Sequence, residues 1–245
     1  MKKVFLFILL CGCIALSGTL SAAEGQLMAG TAKINITPKQ NIPLHDSVYA
    51  RALVMEIGDA RVAQVSVDLA GFYSDRVANV CKEKYGVTQL LVCASHTHED
   101  PNMADARPRE KKSDNTPFFE ECIIKVVGEA IGNMFPARLS AGTRTFPQLG
   151  FNRLIIRKDG KARESWVGDE HYNVENPERI PFGPVDPEVG VIKVEDMQGN
   201  ARAIVMNYAM HADLGCFSYE ISADYPGFAC RKVEEAFDNK AVCLF

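Results

Sequence analysis

The chain has 245 residues, 47% of them hydrophobic and 24% charged, which is enough apolar material for one large core. With 27 basic against 31 acidic residues its net charge is −4, a balance that argues against nucleic acid as a partner. Beyond the amino terminus no apolar stretch reaches the length of a membrane span, so the domain that follows reads as soluble or tethered only at its start.

The amino terminus reads as an export signal. Met1-Lys2-Lys3 is basic, residues 4 to 20 are apolar, and Ser21-Ala22-Ala23 supplies the small residues that a signal peptidase needs. Cleavage there removes Lys2 and Lys3 and no acid, taking the net charge from −4 to −6. The expectation is a signal peptide over 1–23 and one secreted or periplasmic domain over 24–245. Leu10-Cys11-Gly12-Cys13 also partly resembles a bacterial lipobox, with Cys13 as the residue that would carry lipid, although Cys11 is atypical there. Six cysteines follow at irregular spacing, with no Cys-x-x-Cys. They predict mainly buried thiols, room for one bridge, and no zinc cluster.

In chain order, residues 28–36 read as a strand stopped by Thr37-Pro38. The polar loop after it carries His45, which has no companion at metal-ligand spacing. Strands over 49–57 and 61–68 flank a turn at Gly58-Asp59, and Asp68 at the second strand's end would either support a metal or cap the next helix. That helix spans 74–85, with Val77, Val80 and Cys81 on one stripe and Gly86 as its stop.

The stretch that organises the chain comes next: Leu90-Leu91-Val92-Cys93-Ala94-Ser95-His96-Thr97-His98-Glu99-Asp100-Pro101. A short apolar strand releases two imidazoles at its carboxyl end, where open α/β sheets put ligand chemistry. In an extended segment His96 and His98 point to the same side, able to share a metal or divide ligation and proton transfer between them.

A polar loop over 105–114 leads to the clearest helix, with Thr116 as its cap, Pro117 in its first turn and Glu120 and Glu121 near its positive end. Its predicted core face is Phe119, Ile123, Val127, Ala130, Ile131 and Met134. A strand over 138–145 follows, then hairpins turning at Lys158-Asp159-Gly160-Lys161 and at Gln198-Gly199-Asn200, separated by a long irregular loop over 166–187. The strand over 203–210 delivers His211, repeating the arrangement at His96. A final helix opens at Asp224-Tyr225-Pro226-Gly227, and the apolar strand over 240–245 leaves the chain ending in a buried element, which suggests a domain incomplete at its carboxyl end. Strands and helices interleave but hairpins interrupt them, so the fold class is α/β, a single domain of mixed β-sheets flanked by helices.

Several separated stretches now stand together. They are Ala29-Gly30-Thr31-Ala32-Lys33-Ile34-Asn35-Ile36-Thr37-Pro38, Ser95-His96-Thr97-His98 with Pro101, Gly150-Phe151-Asn152-Arg153, Gly183-Pro184-Val185-Asp186-Pro187-Glu188-Val189-Gly190-Val191, and Asn207-Tyr208-Ala209-Met210-His211 followed by Ile221-Ser222-Ala223-Asp224-Tyr225-Pro226-Gly227. As an ordered set they resemble the amino-terminal part of the neutral/alkaline, non-lysosomal ceramidase family. The resemblance implies a hydrolase that cleaves the amide of N-acylsphingosines with one zinc ion held by two histidines, a glutamate and a tyrosine. It makes His96 and His211 the metal ligands and His98 the neighbouring proton carrier or substrate contact. Asn152 and Arg153 become the substrate-binding and catalytic pair, Arg153 holding a substrate oxygen through its fork of donors. The implied partners are a lipid amide and, by association, a membrane surface.

Departures from the family accompany these matches. Glu99 and Asp100 stand where relatives commonly carry Ser or Thr and a small residue, which predicts a more acidic pocket rim. The family's Glu and Tyr ligands, and its catalytic serine, would lie beyond residue 245. Two rivals remain. His96-x-His98-x-Asp100 begins a metallo-β-lactamase pattern, but Pro101 stands where that pattern needs another His, and its later ligands would have to be His171 or His211. The chain also reads as a non-catalytic lipid- or glycan-binding fragment.

Overall fold

The computed structural model describes residues 25–39, 41–104, 114–146, 149–150, 152–164, 182–215 and 218–245. The expected signal peptide, Cys13, Cys216, His171, Phe151, and most of the loops over 105–114 and 166–187 lie outside those residues.

The first half forms β1 (Met28–Asn35), β2 (Tyr49–Ile57), β3 (Ala60–Val67), α1 (Asp75–Tyr85), β4 (Gln89–Ala94), the single turn α2 (Pro101–Ala104) and α3 (Thr116–Gly132). β1, β2 and β3 are antiparallel neighbours, and α1 crosses over to place β4 parallel to β3. The signals behind α1 are local: the Ser74 hydroxyl accepts from Val77 N at 3.2 Å, and Gly86 ends the helix at φ 65° with its N–H on Lys82 O. Helix α3 corrects the expected cap. Its N-cap is Asn115, which makes no side-chain capping bond, and Thr116 lies inside the first turn. Its buried face is also wider than one stripe, taking in Ile124 and Val126, because α3 packs on both the sheet and α1.

The second half forms β5 (Phe135–Thr145), the small hairpin β6 (Leu154–Ile156) and β7 (Ala162–Glu164), β8 (Glu188–Asp196), β9 (Ala201–Tyr208), α4 (Asp224–Ala236) and β10 (Val242–Leu244). The main sheet has the order β10-β9-β8-β5-β1-β2-β3-β4, with β6 and β7 forming a separate pair. The fold is therefore α/β with mixed sheets, as the sequence predicts.

Strand β5 gives the sheet its shape. Its first two residues pair with β1 and the rest of it pairs with β8, so the chain changes partners along one strand. Pro136 is tolerated because it sits near the strand's start. The β8–β9–β10 half is thereby turned over the β1–β2 half, and β10 packs across β1 and β2. Three apolar layers result. One lies between α1, α3 and β1–β3, a second between the two halves of the sheet around Ala29, Leu53, Val194, Val205 and Leu244, and a third between α4 and β9–β10.

The thiols follow these layers. Cys81, Cys230 and Cys243 are buried and Cys122 is partly so, with burial pushing the Cys81 thiol up to about 11. Cys93 departs from the expected burial and is exposed, because β4 is an edge strand. Among the described residues no helix is long and apolar enough to cross a membrane.

One charge is enclosed in this arrangement. Arg51, the third residue of β2, is fully buried, and its NH1 lies 2.8 Å from Asp68 Oδ1 and 2.9 Å from Asp68 Oδ2. Asp68 also accepts from Tyr49 N at 2.8 Å. The carboxylate keeps the guanidinium charged, while burial pushes Asp68 up against the opposing pull of Arg51. Asp68 therefore pairs with Arg51 and the Tyr49 amide, and the cap of the following helix is Ser74 instead.

Two substitutions test the packing. Asp68→Ala leaves Arg51 buried and unpaired and is expected to lower unfolding stability by about 3–5 kcal/mol, whereas Arg51→Met should lose less because Asp68 can take up a proton. Gly30→Ala would drive a Cβ into the backbone carbonyl of Ala130 on α3 and should lose about 1–3 kcal/mol. Urea unfolding of each variant beside the parent reads both effects, and parent-like midpoints would refute them.

Candidate metal centre

Both parallel pairs, β3–β4 and β9–β10, are made by helical crossovers, and the segments leaving β4 and β9 meet. His96 and His98 arrive from the first, His211 from the second. The three imidazoles form a near-equilateral triangle, with ring centroids 5.0 Å apart for His96–His98, 5.0 Å for His96–His211 and 4.7 Å for His98–His211. One nitrogen from each lies within 4.8 Å of the others. The structure thus brings together the three histidines singled out in the sequence, and it leaves His45 apart, exposed and 3.4 Å from Glu220.

The route by which His96 and His98 meet differs from the extended segment expected. His96 adopts φ 63°, in the left-handed region that a non-glycine residue occupies only when its surroundings impose it. Those surroundings are specific. His96 N donates to Leu69 O at 3.0 Å and His96 Nδ1 lies 2.6 Å from Ala70 O. Ala70 N in turn donates to Asp100 Oδ2 at 2.7 Å. Thr97, fully buried, donates its hydroxyl to Ser222 O at 3.0 Å, and His98 N donates to Ala212 O. His211 emerges from the turn after β9, which ends at Tyr208 rather than running on to Met210. The Tyr225 hydroxyl holds that turn by donating to Met210 O at 2.5 Å, and burial pushes its phenol up to about 12.

The acidic rim expected from Glu99 and Asp100 does not form. Both carboxylates are buried, Asp100 on the Ala70 amide and Glu99 on the Ser218 hydroxyl, and burial pushes Glu99 above the usual carboxylate range. The acid that does face the rings is Asp213, which the sequence reading passed over. Its Oδ1 is 3.7 Å from His98 Nδ1 and its Oδ2 is 3.5 Å from His211 Nδ1. Its only signal in the sequence is the spacing His211-Ala212-Asp213 at a strand end.

Burial pushes the His211 imidazole below its ordinary range, opposed by Asp213 and reinforced by His98, His96 and Arg153. A neutral imidazole is the form that binds a metal. The donor set fits a divalent cation, since three ring nitrogens converge and the Nδ1 of each ring has an oxygen acceptor close by.

Arg153 lies near enough to bear on the charge of His211, and its Nε is 3.5 Å from Glu164 on β7. Asn152 fixes the loop beside it: its Oδ1 accepts from Leu154 N at 3.0 Å and its Nδ2 donates to Pro184 O at 3.1 Å. Gly183 has no room for a Cβ against that amide, which accounts for a glycine in the motif there.

No protein-family model matches the chain. In fold it is similar to two solved structures, one described as a ceramidase complexed with C2 and one as the neutral ceramidase from Pseudomonas aeruginosa. Each aligns with a TM-score of 0.65 and 20% sequence identity over 91% of this chain. The chain spans 37% of the first and 38% of the second. At that identity the likeness is one of fold: the layered α/β arrangement that carries the histidine cluster is shared with ceramidases.

Proposed function

We propose that this chain carries the histidine centre of an exported, zinc-dependent hydrolase of N-acyl lipid amides, releasing fatty acid and sphingoid base from ceramide. The observation that carries the reading is the convergence of His96, His98 and His211 from two distant strand ends, on a fold similar to that of ceramidases. The basic, apolar amino terminus supports export as its setting.

In this reading His96 and His211 hold the metal. Bound zinc would polarise the amide carbonyl and acidify the attacking water towards a pKa of ~7. His98 stands across from both ligands and carries the proton that the departing amine requires. Arg153 offers its guanidinium fork to a substrate oxygen from the side of His211. Asn152 contributes by holding the Arg153 loop, since both ends of its amide are engaged there. The metallo-β-lactamase alternative is weakened by Asp100, whose carboxylate is buried on the Ala70 amide. The binding-fragment alternative is separated by assay.

Two outcomes are expected. The full-length protein should hold about one zinc per chain by elemental analysis, and His96→Ala or His211→Ala should each abolish it while His45→Ala does not. Metal content unchanged in both variants would remove the assignment. Fatty acid should be released from a ceramide series and from simpler N-acyl amides, and a chelator should stop it. Arg153→Ala should raise KM or lower kcat with the metal retained. Chelator-insensitive release would remove the metal from the reaction, and no release from any N-acyl substrate by zinc-loaded protein favours the binding reading.

A further inference from the structure

The side chain of Asp213 is 15% exposed, and its Oδ1 is buried with no hydrogen-bond partner among the described residues. An oxygen in that position raises the free energy of the fold unless a donor reaches it. The donors beside the carboxylate are the Nδ1 atoms of His98 and His211, at 3.7 and 3.5 Å, each a small ring rotation from hydrogen-bond distance. The backbone holds the carboxylate in place from both sides. Ala212 O accepts from His98 N, and the amides of Leu214 and Gly215 both donate to Asp224 Oδ2. The backbone on either side of Asp213 is thus held, and its side chain lies between the two rings.

We propose that Asp213 is the positioning residue of the histidine cluster, its carboxylate taking the Nδ1 hydrogens of both His98 and His211 so that each ring presents Nε2 to the centre. The proposal rests on the reading of His211 as a metal ligand. A neutral imidazole carries one hydrogen, and an acceptor at Nδ1 selects the tautomer whose lone pair is on Nε2. Ala70 O already does this for His96, at 2.6 Å from its Nδ1. With Asp213 the same chemistry extends to all three rings, from one backbone carbonyl and one shared carboxylate. The shared carboxylate also couples ligand to proton carrier. Turning His98 to deliver a proton changes the hold on His211.

The test is zinc affinity of the full-length protein, measured by competition with a chromophoric chelator for the parent, Asp213→Asn and Asp213→Ala. Asp213→Asn keeps the size and one acceptor oxygen, so a loss of roughly 10-fold is expected, rising towards 100-fold for Asp213→Ala. The visible spectrum of the cobalt-substituted protein should change in both variants, while the melting temperature of the metal-free Asp213→Asn variant stays at the parent value. A merely structural role would move the melt and leave Asn and parent spectra alike. Zinc affinity of both variants within twofold of the parent overturns the proposal while leaving the metal centre intact. A parent that binds no zinc overturns the reading beneath it as well.

Discussion

The buried pair of Arg51 and Asp68 is the interaction on which the geometry of the histidine cluster depends. Asp68 is the first residue past β3, and its carboxylate is fixed from below by Arg51 NH1 and from the side by Tyr49 N. The next two residues, Leu69 and Ala70, then have little freedom, and theirs are the two carbonyls that hold His96 by its amide and its ring. Asp100 closes the turn by accepting from Ala70 N. Two buried carboxylates, one before the turn and one beyond the histidines, therefore impose the left-handed conformation at His96. The local strain of order 1–3 kcal/mol that such a residue carries is offset by hydrogen bonds that require that conformation.

A buried ion pair is weak evidence for net stability, because removing two charges from water offsets most of their attraction. Arg51 illustrates the point, with Nε and NH2 buried and lacking hydrogen-bond partners among the described residues. The pair's role is better understood as registry. It ties the start of β2 to the end of β3 on the face where β10 packs and where Cys230 and Glu234 of α4 approach Arg51, and Phe245 N reaches Ser66 Oγ on that same face. An apolar replacement could fill the volume, yet it would not direct the backbone of residues 68–70.

Much of this was legible in the sequence because it is encoded locally. The hairpin at Gly58, the Ser74 and Gly86 helix ends, the β8–β9 hairpin and the release of His96 and His211 at strand ends each follow from residues within one turn of the chain. What escaped was set by tertiary layering. Arg51 alternates with Ala50 and Ala52 as a solvent-facing residue would, and only the turned-over β8–β10 half makes that second face interior. The same cause hides Ile124 and Val126, which look like the outer side of α3 until α1 packs there. Glu99 and Asp100 read as exposed acids because nothing nearby in sequence announces their partners, Ser218 and the Ala70 amide. Asp213 was missed for the opposite reason: it stands two residues from a histidine already noticed, in a segment too short for any periodicity to mark it.

The position of the cluster would also couple metal binding to the fold. His96 and His98 belong to the β1–β4 half of the sheet, and His211 belongs to the half that β5 turns over it. A cation bridging them would span segments separated by more than a hundred residues, whose halves of the sheet meet in the apolar layer around Leu53, Val205 and Leu244. Binding free energy spent on closing that distance would be unavailable for affinity, so a packed interlayer that presents the imidazoles already close together favours a bound cation. The backbone links between the two segments serve the same end: His98 N to Ala212 O, Thr97 Oγ1 to Ser222 O and Ser222 N to Glu99 O join them without a metal. The histidines are thus brought within reach of one another by the protein's own hydrogen bonds, so that an ion bound there would select among ring orientations rather than assemble the site.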